Sequence, residues 1–207
     1  MNNKRDFLKP GLYALTPASW KPAQLLPAVE AALAGGVRLL QYRAKPRPDP
    51  DAARELLKLC NRTGAALIIN DDTELATIVN AHGVHLGRDD GDPQKARELL
   101  GEEAIIGVSC YDDLERARQL AEAGPDYLAF GSLFASPTKP DAVNCPPDVI
   151  TTAREFGVPV IAIGGITLDN ARVAIEAGAD LLAVVSDLFE AEDIEQRARQ
   201  YQELFSS

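Results

Sequence analysis

Cysteine, aromatic side chains and long apolar runs are all scarce in this 207-residue sequence, and each shortage removes a class of protein. The three cysteines, Cys60, Cys110 and Cys145, are an odd and widely spaced set with no C-x-x-C pair. That excludes the disulfide framework of a small secreted domain and a zinc ribbon, and a reducing cytoplasm is the expected compartment. No run approaches the ~20 apolar residues of a membrane span, and no apolar stretch of signal-peptide length follows the charged residues 1–10. A soluble protein with no membrane partner is expected. Positive charge is short as well, with 21 Lys and Arg against 31 Asp and Glu for a net charge of −10. Nucleic acids and anionic membranes need clustered cations, so no nucleic-acid partner is expected either. Any phosphate bound here must meet a local group of donors.

What the sequence has is alternation. Apolar runs of β type occur at residues 11–16, 37–43, 65–70, 83–87, 104–109, 127–133, 159–166 and 181–186. Helical spacing follows them, as in Ala53, Leu56, Leu57 and Cys60 and in Ile194, Ala198, Tyr201 and Phe205. Glycines before the next strand, in Gly35-Gly36, Gly83 and Gly178, read as helix C-caps. Eight βα units in a chain that can bury roughly 70% of its unfolded surface predict an α/β fold, a single-domain (β/α)8 TIM barrel over residues 1–207. A doubly wound open sheet competes less well, because such sheets have fewer strands and Gly164-Gly165 spells no G-x-G-x-x-G.

In a parallel barrel the chemistry gathers at the C-terminal ends of the strands. On the second, Gln41, Arg43 and Lys45 share one parity and aim at the mouth, while Leu40 and Tyr42 take the other. A solvated basic strand end is the plainer alternative. The third strand ends in Asn70-Asp71-Asp72 and the fourth runs into Asp89 and Asp90. Carboxylates on adjacent strands can share one Mg2+, although Asp residues here also serve as helix N-caps. Ser109 closes the fifth strand, and Ser136, Pro137, Thr138 and Lys139 follow the sixth, where hydroxyls and a cation suit a phosphate or an ordinary turn. Gly165, Val185 and Ser186 close the last two strands, the usual phosphate cradle of barrels. His82 reads as a partner of a helix C-terminus. His85, with no acid at triad spacing, reads as a hydrogen-bonded core residue. There is no Ser-His-Asp order, H-E-x-x-H or P-loop. The residues alone indicate a barrel enzyme with two anion subsites and one Mg2+ site, without naming a substrate.

The motifs Gln41-Tyr42-Arg43-x-Lys45, Asn70-Asp71, Gly83 to Gly87 with Asp90, Gly107-Val108-Ser109, Gly131 through Lys139, Ile163 to Ile166 and Val185-Ser186, taken in order, resemble those of the bacterial thiamine phosphate synthase family. The resemblance runs from Leu12 to Ser186. It implies an Mg2+-dependent condensation of hydroxymethylpyrimidine diphosphate with hydroxyethylthiazole phosphate, through a dissociative step that releases pyrophosphate. By that resemblance Gln41, Tyr42, Arg43, Ala44, Lys45, Asn70, Ser109 and Lys139 hold the pyrimidine diphosphate, with Lys139, Arg43 and Ser109 catalytic. Ser136, Pro137, Thr138, Gly165, Val185 and Ser186 hold the thiazole phosphate, and Asp71 and Asp90 hold the metal. The partners implied are small phosphorylated molecules, and a homo-oligomer is compatible with the sequence. Loops 46–50 and 136–147 are the candidate lids.

Three positions depart from the family pattern: Ala44 replaces an acid, Ser136 a Thr and Arg88 a Gln. A related branch that isomerises the thiazole phosphate is the alternative enzyme, but it typically lacks the Asp pair. A non-catalytic sensor of thiamine phosphates is the alternative outside enzymes.

Overall fold

The computed structural model describes residues 3–135 and 144–206. Its eight strands are β1 (Gly11–Leu15), β2 (Leu39–Tyr42), β3 (Ala66–Asn70), β4 (Gly83–Leu86), β5 (Ile105–Tyr111), β6 (Tyr127–Phe130), β7 (Val160–Ile163) and β8 (Leu181–Val184). They pair in sequence order, all parallel, and β8 closes on β1. The helices are α1 (Lys4–Phe7), α2 (Pro22–Ala34), α3 (Pro50–Thr63), α4 (Thr73–Val79), α5 (Pro93–Leu100), α6 (Leu114–Glu122), α7 (Pro147–Ala153), α8 (Ala171–Glu176), α9 (Ser186–Phe189) and α10 (Ile194–Glu203), with a 3-10 turn at Arg154–Phe156. The (β/α)8 barrel expected from the alternation is the fold observed.

Strand parity divides the core into two shells. Tyr13, Leu15, Leu39, Ala66, Ile68, Ile105, Tyr127, Ala129, Ile161, Leu181 and Ala183 fill the barrel interior. The alternate residues, such as Leu12, Leu40, Leu67, Ile69 and Val84, pack outward against the helices. The bottom is plugged by α1, whose Phe7 joins Leu8 in the interior shell. Four residues carry no periodicity, so this plug was not visible in the sequence. A capping box from Asn3 and Asp6 holds it, and the Lys4 ammonium reaches Asp126 at 2.9 Å.

Aspartate is the recurrent start signal: Asp49, Asp72, Asp92, Asp113 and Asp193 each accept a hydrogen bond from the first-turn N–H groups of α3, α4, α5, α6 and α10. Two expectations at the bottom of the barrel are corrected. Helix α4 ends at Asn80 in the left-handed region, while Gly83 opens β4, where a Cβ would lie 1.9 Å from the Ile105 carbonyl oxygen. His82 therefore caps no helix. Its Nδ1 accepts the Leu67 N–H at 3.0 Å. At the top, β6 and β7 stop earlier than expected, and Gly164 and Gly165 carry the chain after β7 away at φ +104° and +61°. Strand β5 instead continues two residues past Ser109 through a register shift.

Candidate active site

The C-terminal mouth opens into two adjoining cavities. One, of about 220 Å³, is lined by Gln41, Arg43, Lys45, Asn70, Asp71, His85, Gly87, Asp90 and Ser109. The other, of about 1010 Å³, is lined by Gly131, Gly164, Gly165, Val185, Ser186 and Asp187 among others. Arg43, Ser109 and Tyr111 belong to both walls, as do the apolar Leu15, Ala129, Ile163 and Ala183 below them, so the cavities meet across the top of the barrel interior. The smaller cavity holds Lys45, Asp71 and Asp90, and the larger holds the glycine loops together with Asp187, Glu190 and Arg197.

The ambiguity between ligand and helix cap resolves residue by residue. Asp72 is the cap of α4, with its carboxylate accepting the Leu75 N–H at 2.8 Å. Asp71 sits at φ +66°, one of the few non-glycine residues there, and its N–H donates to the His85 carbonyl across the β3–β4 pair. On the next loop Asp92 caps α5, while the exposed Asp90 turns back to accept the Gly87 N–H at 3.0 Å. Burial and the facing Asp90 charge together raise the Asp71 carboxyl above its ordinary range, with Lys45 at 3.5 Å offsetting part of this. Two hard oxygen donors held against their own repulsion fit a divalent cation that takes one or two protein carboxylates and fills its shell with water and phosphate. Among the described residues no group of three or more His, Cys, Asp or Glu could hold a metal.

Behind the smaller cavity runs a chain of polar groups inside the barrel. Gln41 Nε2 donates to the Tyr13 hydroxyl at 2.8 Å, and Tyr13 meets the Tyr127 hydroxyl at 2.8 Å. His85 Nδ1 lies 2.9 Å from Tyr127, and His85 Nε2 lies 2.8 Å from Ser109 Oγ. Every buried side-chain polar atom here has a partner, and the orientation of the Gln41 amide, with Nε2 toward Tyr13, sets the direction of the chain. Tyr13 accepts from Gln41, so its proton goes to Tyr127; the Tyr127 proton then goes to His85 Nδ1. The imidazole consequently carries its hydrogen on Nε2 and donates it to Ser109. Burial pushes the imidazole down to about 4, keeping it neutral. Ser109 thus accepts from His85 and keeps its own proton for the cavity. Gly107 makes room for this, since a Cβ there would lie 1.9 Å from the Tyr127 ring.

The site residues read from strand parity, Gln41, Arg43 and Lys45, do face the cavity together with Asn70, Asp71, Asp90 and Ser109. Gly165, Val185 and Ser186 line the larger one. Two side chains taken from the resemblance do not reach either cavity. Tyr42 packs into the outer shell and accepts the Asp49 N–H at 3.1 Å, and Ala44 packs against the same shell. Gly165 has a further reason to be glycine, because a Cβ would meet the Phe134 and Ala135 carbonyl oxygens at 2.7 and 2.5 Å. Ser136, Pro137, Thr138 and Lys139 lie outside the described residues. Sequence reasoning missed Tyr13, Tyr127 and Tyr111. Tyr13 and Tyr127 share the interior parity of their strands, a signal available but indistinguishable from ordinary core. Thr16, fully buried, was also missed; its hydroxyl both accepts the Arg43 N–H and donates to the Arg43 carbonyl, fixing the end of β2.

Comparison with known proteins agrees with this geometry. The chain is 56% identical to the thiamine-phosphate synthase of Azoarcus sp. (strain BH72), covering 95% of this chain and 97% of that one. It is 52% identical to the thiamine-phosphate synthase of Methylobacillus flagellatus, covering 95% of each. Among solved structures it is similar to a thiamine phosphate pyrophosphorylase from Pyrococcus furiosus, with a TM-score of 0.83 and 32% identity over 99% of this chain and 96% of that one. The family model described as Thiamine monophosphate synthase matches residues 12–188, nearly the whole barrel, and the chain, a transferase, belongs to that family.

Proposed function

We propose that this transferase joins hydroxymethylpyrimidine diphosphate to hydroxyethylthiazole phosphate, giving thiamine phosphate and pyrophosphate. The bond from the pyrimidine methylene to the diphosphate oxygen breaks, its electron pair leaves with pyrophosphate, and the thiazole nitrogen lone pair forms the new C–N bond. No proton need be removed, which suits a site whose cavity histidine is neutral and bound at both nitrogens.

The observation that carries this reading is the division of the mouth. Lys45, Asp71 and Asp90 line one cavity and the glycine loops of β7 with Val185 and Ser186 line the other, with Arg43 and Ser109 on both. Asp71 and Asp90 would hold Mg2+, which when bound supplies positive charge against the departing diphosphate. Arg43 and Lys45 bind the same anion, and Ser109 directs its free proton toward it. Lys139, by resemblance, adds a further cation there, and Ser136, Pro137 and Thr138 belong with Gly165, Val185 and Ser186 to the thiazole phosphate. The cationic methylene must also be kept from water.

Pyrophosphate release tests the reading: it should require both substrates and Mg2+. Isomerisation of thiazole phosphate alone would favour the related branch, and ligand-dependent melting without pyrophosphate would favour a sensor.

A further inference from the structure

Tyr111 stands two residues beyond Ser109, toward the mouth, and lines both cavities. Three features fix its side chain there. The β5–β6 register shifts between Ser109 and Tyr111, the residue sits at φ +61°, and its hydroxyl accepts the Arg88 N–H at 3.4 Å. A bulky side chain in the left-handed region is strained, and such strain persists only where surrounding structure imposes it. The exposed Arg88 side chain supplies such a contact: its guanidinium lies 4.8 Å from the ring centroid, covering one face of the tyrosine. Arg88 is the position at which the family pattern has Gln, a side chain that carries no cation to stack.

We propose that Tyr111, held by Arg88, is the positioning residue that roofs the junction of the two cavities and excludes water from the line between the pyrimidine methylene and the thiazole nitrogen. This rests on the reaction proposed above. Arg43 and Ser109 line the same junction, and Tyr111 is the aromatic residue among the walls they share. Without the ring, water reaches the methylene. The same C–O bond then breaks, water oxygen forms the new bond and loses a proton to solvent, and the products are free hydroxymethylpyrimidine and pyrophosphate. The predicted defect is therefore uncoupling rather than simple loss of rate.

The test measures pyrophosphate and thiamine phosphate in one reaction containing both substrates and Mg2+. The wild-type protein should form them in equal amounts. Tyr111→Gly, which relieves the positive φ, should release a severalfold excess of pyrophosphate over thiamine phosphate, with free hydroxymethylpyrimidine making up the difference. Tyr111→Phe keeps the ring and should remain coupled, while Arg88→Gln should fall between the two. The product ratio does not depend on how much of a variant is folded, so a loss of stability cannot imitate the effect. Equal product amounts in Tyr111→Gly, at whatever rate, would overturn the roof. Absence of pyrophosphate with the wild-type protein would instead overturn the proposed reaction itself.

Discussion

Asp71 and Asp72 are adjacent residues of one chemical type with opposite tasks, and backbone conformation separates them. Asp72 caps α4, whereas Asp71, at φ +66°, faces Asp90 with Lys45 and the Asn70 side chain in partial compensation. A carboxyl raised by burial and a like charge is easier to protonate folded than unfolded, so its ionisation costs stability as pH rises through the interval between the two values. That cost grows as pH rises toward neutrality. Asp71→Asn should therefore melt at a higher temperature than the wild type in metal-free buffer at neutral pH while losing Mg2+-dependent turnover; a lower melting temperature would refute the repulsion. His85 runs the other way. Its imidazole, held near 4 against an ordinary 6.5, lets the unfolded chain take up a proton first, so stability falls as pH drops from about 6.5 toward 4. His85→Gln should flatten that part of the curve, measured by denaturant melts at a series of pH values. Strand parity was enough to pick out Gln41, Arg43 and Lys45. It could not tell Asp71 from Asp72, because one positive φ decides between them and no pattern of hydrophobicity encodes it.

At the scale of elements, the alternation of β and helical patterns located all eight strands, but their ends moved wherever glycine turns the chain, as at Gly164 and Gly165 after β7. The start of α9 shows how a distant helix supports the site. Asp187, next to Ser186, accepts a hydrogen bond from Tyr201 at 2.7 Å and pairs with Arg197 at 2.6 Å, and Arg197 also donates to the Asp187 carbonyl at 2.9 Å. Tyr201 and Arg197 both belong to α10, so the end of β8 is tied to the last helix of the barrel. The sequence showed Tyr201 only as an apolar repeat on that helix, because its hydroxyl finds its partner through the fold. Tyr201→Phe removes one bond to a partly buried carboxylate and should cost about 1–2 kcal/mol. It should also raise the KM for thiazole phosphate more than that for pyrimidine diphosphate. Equal shifts in both KM values would mean that the clamp supports the barrel as a whole rather than the end of β8.

Across the whole molecule, the interior chain from Gln41 through Tyr13, Tyr127 and His85 to Ser109 joins β2, β1, β6, β4 and β5, so its two tyrosines can be compared for stability and direction separately. Tyr13→Phe leaves the Gln41 amide without its acceptor, at a cost of about 1–3 kcal/mol, and no longer forces the Tyr127 proton toward His85, but Tyr127 keeps a proton to donate there, so the Nε2–H tautomer is weakened rather than lost. Tyr127→Phe costs a similar amount but strips Nδ1 of its donor, so the tautomer that gives to Ser109 is no longer selected. The two variants should therefore match in denaturant stability and differ in turnover, with kcat much lower for Tyr127→Phe. The double variant breaks the Tyr13–Tyr127 contact once rather than twice, so its destabilisation should be smaller than the sum of the single costs by about 0.5–3 kcal/mol. Turnover falling in step with stability in both single variants would show that the chain serves only to fill the barrel. A selective loss in Tyr127→Phe would show that the barrel interior sets the direction of a hydrogen bond at its mouth.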